Sequence, residues 1–209
     1  MGSMDTGQLI LIALLICAFC GVQIVMVGLL VWYSAARRKG ANKWTSFAKK
    51  YGLSHQPPGF MEGGYGSMGG KIDGRDVTVY TYSTGGRHRV VWTVASVRSS
   101  SPKAVTFSVG AKGFDGAVYK AFGAQDIVIG IKDFDDAFMI QSNPPELASA
   151  LLLQNADLRA MIQTLKPYEL QYKDRFASCR LLRSQADEAV LLNMLALARK
   201  LAETIEGSA

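Results

Sequence analysis

Histidine is all but missing from this chain: its 209 residues hold only His55 and His88. Cysteine is nearly as scarce, with Cys17, Cys20 and Cys179. The first two lie inside an apolar run, so one thiol remains downstream without an internal partner. That excludes a disulfide framework of the secreted type. No Asn-x-Ser/Thr acceptor occurs, no Lys or Arg precedes Arg37, and no charged residue lies between Leu9 and Tyr33. The glycine motifs of nucleotide binding are also missing in working form. Gly70-Lys71 has Tyr65 where a phosphate loop needs its first glycine, and Ile72 where it needs a hydroxyl. Gly64-x-Gly66-x-x-Gly69 leads into a strand–turn pattern instead of following a strand and opening a helix.

These gaps weigh against catalysis. His55 sits in a Gly/Pro-rich stretch and His88 beside a glycine turn, and no Ser or Cys motif frames either of them. A membrane-tethered hydrolase built from Asp and Lys alone finds no supporting spacing. No catalytic residue and no cofactor is expected.

What the chain does have is a continuous apolar stretch from Leu9 to Tyr33. As a helix it would be roughly 37 Å long, enough to cross a hydrocarbon layer of about 30 Å with some tilt. The start carries Asp5 and no basic residue, and the run is too long for a cleaved signal peptide. Ile16 before Cys17 and Phe19 before Cys20 rule out a lipoprotein signal. Cys17-x-x-Cys20 puts two thiols on one helix face, where lipid disfavours the thiolate that redox chemistry needs. Gly21 and Gly28, with Gln23 between them, offer a close helix–helix approach, although no GxxxG is present. The expected division is a tail over 1–7, a transmembrane helix over 8–34, a basic juxtamembrane linker over 35–41 and a soluble domain over 42–206.

Six of the 23 basic residues and one of the 17 acidic ones fall in residues 1–50, which leaves 17 against 16 beyond. The basic excess is therefore juxtamembrane, and nucleic acid is not its partner. Arg37, Arg38, Lys39 and Lys43 are placed to meet anionic lipid headgroups, and they predict an N-terminus outside and a cytoplasmic domain.

Beyond the linker, Asn42 can cap a helix to Tyr51 that presents Trp44, Phe47, Ala48 and Tyr51 on one face. His55–Gly74, rich in glycine, reads as a flexible loop followed by an edge strand. Asp73-Gly74, Gly85-Gly86 and Ser99–Pro102 then break an antiparallel meander over Val77–Ser83, Arg89–Val97 and Ala104–Val109. Within it Val77, Val79 and Thr81 alternate with Thr78, Tyr80 and Tyr82.

Asp126–Gln141 reads DIVIGIKDFDDAFMIQ. Asp133, Asp135 and Asp136 are candidate ligands for a hard cation, against the plainer reading of solvated acids beside two phenylalanines packed inward. Asn143 then caps a helix containing Leu147, Leu151 and Leu152, and Asn155 caps a second over Asp157–Leu165. Tyr168–Tyr172 and Phe176–Arg180 form a hairpin across Lys173-Asp174. A long helix over Ala186–Glu206, capped by Ser184, carries a broad apolar face. The fold class is α+β: an N-terminal transmembrane helix, then one domain with an antiparallel meander packed against helices.

The succession of anchor, Trp44–Phe47–Ala48 before Tyr51-Gly52-Leu53, meander and Phe134-Asp135-x-x-Phe138 resembles a loose group of bacterial single-pass membrane-anchored proteins carrying an FDxxF segment. The resemblance implies an inner-membrane setting and carries no chemistry with it. The function expected is a binding or scaffold domain that meets a protein partner, or a second copy of itself, at the membrane. Its contact surfaces would be the exposed side of the meander, the glycine-rich loop, or Phe134 and Phe138. The alternative is a domain that holds a lipid or small ligand between the sheet and the C-terminal helix.

Overall fold

The computed structural model describes residues 6–58, 64–85, 89–113 and 126–207, with the side chains of 6–18, 30 and 33–38 outside that description. The chain divides into two units, Met1–Gly40 and Ala41–Ala209.

Helix α1 runs without a break over Thr6–Lys50. The linker expected over 35–41 is thus helical, and Asn42 lies inside the helix and does not cap one. The physical reason is local. Ala35, Ala36, Arg37, Arg38 and Lys39 are all good helix formers, and the lone Gly40 costs only about 1 kcal/mol. Among the described residues no helix is long and apolar enough to cross a membrane. Much of the Leu9–Tyr33 stretch has its side chains outside that description. In the part described, residues 19–29 are exposed without interruption. Eleven consecutive residues span three helical turns, so every face of this apolar segment is open.

The second unit is an α+β domain. Its eight strands are β1 (Ser54–Gln56), β2 (Ser67–Ile72), β3 (Arg75–Thr84), β4 (Val90–Arg98), β5 (Thr106–Ala111), β6 (Phe138–Asn143), β7 (Glu169–Lys173) and β8 (Phe176–Leu182). Among the described residues four helices follow α1: α2 (Lys132–Ala137), α3 (Glu146–Gln154), α4 (Ala156–Leu165) and α5 (Glu188–Gly207). The strands form one antiparallel sheet in the order β1-β2-β3-β4-β8-β7-β5-β6. The meander therefore stops at β4. The β7–β8 hairpin inserts next to it, and β5 crosses over to pair with β7 instead.

One row of aligned residues explains that order. Met68, Val79, Ala95, Cys179, Leu170, Val109 and Ile140 are paired across seven strands, and all are buried. Ala95 and Cys179 are the small members at the centre of this row, where α5 packs on β4 and β8. Burial pushes the Cys179 thiol well up, which leaves it an inert core residue. Leu191, Met194, Leu197, Ala198, Leu201 and Ile205 of α5 are buried as the apolar stripe requires. Its first turn is capped by Asp187, whose carboxylate accepts the Ala189 and Val190 N–H groups at 2.9 and 3.3 Å, so Ser184 is not the cap.

Two further expected caps are replaced. Asn143 is the last residue of β6, with a cis bond to Pro144. Asn155 flanks α4, but its side-chain amide donates to the Leu151 carbonyl at 3.0 Å and so closes α3 instead. The C-terminal end of α1 joins the core through Trp44, Phe47 and Ala48, and the Trp44 indole N–H donates to the Gln185 carbonyl at 2.7 Å.

The glycines before β2 serve close approach. The Tyr65 and Gly66 N–H groups donate to Thr81 Oγ1, and a Cβ on Gly66 would stand 2.1 Å from the Gln56 carbonyl oxygen. With φ at +91° as well, Gly66→Ala is expected to destabilise the domain by at least about 2 kcal/mol, read as a lowered urea midpoint at unchanged slope.

Candidate interaction face

The α5 helix covers one side of the sheet. The opposite side is set by the residues that alternate with the core row. Its aromatic part is formed by Tyr80, Tyr82 and Trp92, with Val94 buried among them. Tyr80 pairs with Val94, which pairs with Arg180, which pairs with Glu169. Tyr80 and Tyr82 have ring centroids 6.0 Å apart, and Trp92 packs on Tyr168 at 4.4 Å. The Trp92 indole N–H donates to Thr84 Oγ1 at 2.8 Å.

Charge is balanced within this patch. Arg180 Nη1 meets Glu169 Oε2 at 3.0 Å, and the guanidinium lies 5.8 Å from the Tyr82 ring centre. Burial raises the Tyr82 phenol above its ordinary range, while Arg180 pulls it back. The Arg180 Nε and Gln141 Nε2 donors are buried and meet no acceptor among the described residues. Beside the aromatic ridge runs a row of smaller polar residues: Thr78, Ser96, Ser178, Gln171, Ser108 and Gln141, aligned across six strands. Ser96 and Ser178 share a hydrogen bond at 2.9 Å. Tyr, Trp and Arg around a small desolvated centre are the residue types that anchor protein contacts.

Of the aspartates expected as cation ligands, Asp133 is exposed, whereas Asp135 and Asp136 have other work. Asp135 accepts the Ile129 and Gly130 N–H groups at 3.0 and 2.9 Å, and Asp136 pairs with Lys132 at 2.5 Å. Asp126 accepts the Ile140 N–H at 2.9 Å and meets Lys112 at 2.8 Å. The Ile127 N–H donates to the Ile140 carbonyl at 2.9 Å. Residues 126–130 thus cover the outer edge of β6 and blunt it against pairing with another chain. Among the described residues no group of three or more His, Cys, Asp or Glu side chains is placed to hold a metal ion.

Phe134 and Phe138, one turn apart, both point into the core with ring centroids 4.7 Å apart, and they are 0% and 3% exposed. They are core, not contact surface. Phe134 lies on the buried side of α2 and Phe138 is the first, buried residue of β6, while Asp135, half-buried beside them, reaches back to tie the preceding loop. The Phe-Asp-x-x-Phe pattern is a packing device.

Lys39 and Lys43 are exposed, and the side chains of Arg37 and Arg38 lie outside the described residues. Lys50 is held by Glu188 at 2.6 Å. His55 is built into the domain: Nε2 stands 3.1 Å from the Tyr65 carbonyl, to which it donates, and Nδ1 stands 3.2 Å from Thr45 Oγ1. His88 lies outside the described residues. Between the sheet and α5 is a mostly apolar, partly open pocket of about 160 Å³, lined by Val77, Val97, Leu192 and Leu195 together with Arg75 and Arg199.

No protein-family model and no curated protein matches the chain. A solved structure does: the crystal structure of the mycobacterial trehalose monomycolate transport factor A, TtfA, at 13% identity with a TM-score of 0.58, covering 80% of this chain and 95% of that one. At that identity the likeness is one of fold alone.

Proposed function

We propose that this chain is a membrane-anchored binding module, held by Leu9–Tyr33 with its domain on the cytoplasmic side, that docks a protein partner on the Tyr80–Tyr82–Trp92–Arg180 face. The carrying observation is that face: Tyr80, Tyr82, Trp92 and Arg180 lie half-buried together on the side of the sheet away from α5, and the Arg180–Glu169 pair leaves the patch neutral overall. Its occupant is therefore a protein segment that lays apolar side chains on the rings. The uncharged Leu9–Tyr33 stretch and the Arg37, Arg38, Lys39 and Lys43 flank support the anchor, its orientation and contact with anionic lipid. The FDxxF likeness supports a bacterial inner-membrane setting. Tethering raises the local concentration of partner and module, so a modest face suffices. The printed name of the structural neighbour, a transport factor, is compatible with a binding role at a membrane.

The second reading, a ligand between sheet and α5, draws on the pocket there. Its volume of about 160 Å³ falls below the roughly 300–1,000 Å³ of ordinary ligand sites and admits only a few carbons.

A photo-reactive amino acid placed at Tyr82 in the full chain, irradiated in native membranes, is expected to yield a protein adduct. The same group at Gln163 on α4 is expected to yield none. Equal labelling at both positions, or none at Tyr82, would contradict the docking face.

A further inference from the structure

The Leu9–Tyr33 stretch contains a single side-chain amide, Gln23. It is exposed, along with every described neighbour from Phe19 to Leu29, and makes no hydrogen bond among the described residues. At about 1.5 Å per residue it stands roughly 21 Å from Leu9 and 15 Å from Tyr33, near the middle of the stretch. If the stretch spans the bilayer, as proposed above and on which this inference rests, lipid offers that amide neither donor nor acceptor.

We infer that Gln23 pairs with Gln23 of a second copy of this chain. An amide carries both donors and acceptors, so two copies facing each other across a symmetric contact satisfy one another without another residue type. Phe19 and Val27, one turn to either side of Gln23, supply apolar packing around the pair, and Cys20 lies about 60° round the same side of the helix. Nothing charged between Leu9 and Tyr33 opposes the approach of a second copy. Gly21 and Gly28 lie on another side, with nothing near their Cβ positions, and are not needed for this contact.

Cys20 makes the contact directly testable. Cys17→Ser removes the neighbouring thiol and Cys179 is buried in the core, so Cys20 is the reporter in an otherwise intact full-length chain. Copper-phenanthroline oxidation of native membranes is expected to give a disulfide-linked dimer. Gln23→Leu is expected to lower the linked fraction about three- to ten-fold, and Gln23→Asn to retain most of it. Equal linkage in Gln23→Leu, monomer throughout, or linkage to a different protein would overturn the pairing. Alkaline carbonate extraction, run in parallel, separates the two failures. A chain that stays in the membrane without linkage refutes only the pairing, whereas release into the supernatant refutes the anchor and the pairing together.

Discussion

Replacing Phe134 by alanine is expected to lower the unfolding free energy of the domain by about 3 to 5 kcal/mol, the usual cost of a fully buried aromatic side chain. Phe134 is 0% exposed and stacks on Phe138, so its loss opens a void at the junction of α2 and β6. Because α2 carries Asp135, the loss also loosens the Ile129 and Gly130 N–H ties that keep residues 126–130 over the sheet edge. For a domain of this size the melting temperature should fall by on the order of 10 °C. Urea unfolding checks it: a cost under about 1 kcal/mol together with lost partner binding would move the FDDAF segment from core to recognition surface.

Glu206, near the C-terminal end of α5, carries the second large effect. Arg75 donates to its two carboxylate oxygens at 2.9 and 2.8 Å, the Ser100 N–H at 2.7 Å and Ser99 Oγ at 2.9 Å. Arg75 foremost, then the Ser100 and Ser99 donors, hold the carboxyl down to about 2 from an ordinary 4.5. A folded-state value below the unfolded one means stability that is fully present above pH 4.5. It is lost as pH falls from there through about 2. The shift corresponds to an amount on the order of 3 kcal/mol. Glu206→Gln should therefore be destabilised by about 2 to 3 kcal/mol at neutral pH, because Arg75 is left mostly buried with a neutral partner. Between pH 4.5 and 2 its stability should fall less steeply than that of the unmodified chain, since this titration is gone. Chemical unfolding of both proteins across that range reads the difference, and parallel curves would contradict the latch.

Much of the core was written in local periodicity. Val77 and Val79 alternate against Thr78, Tyr80 and Tyr82, so both the buried side of β3 and the aromatic side that forms the candidate face could be read from the chain. The apolar stripe of α5 and the Trp44–Phe47–Ala48 face were equally plain, because helical spacing is a short-range signal. Strand order was not. Whether β5 lies beside β4 or β7 depends on which rows align across the sheet, and residues far apart in the chain such as Val109 and Leu170 settle it. The roles of Asp126 and Asp135 were hidden for a related reason. A carboxylate that ties backbone N–H groups looks, in sequence, like one that waits for a cation. The Arg180–Glu169 pair had no sequence signal, since it arises from strand registry between β7 and β8.

Native mass spectrometry of the full-length protein, released gently from its own membranes, tests the central claim most directly. A second protein bound to the chain is expected, with loss of that mass when Tyr82 and Trp92 are replaced by alanine in a domain that still folds. A chain that carries only a lipid or small molecule, unchanged by those replacements, would contradict it and move the function to the pocket beneath α5.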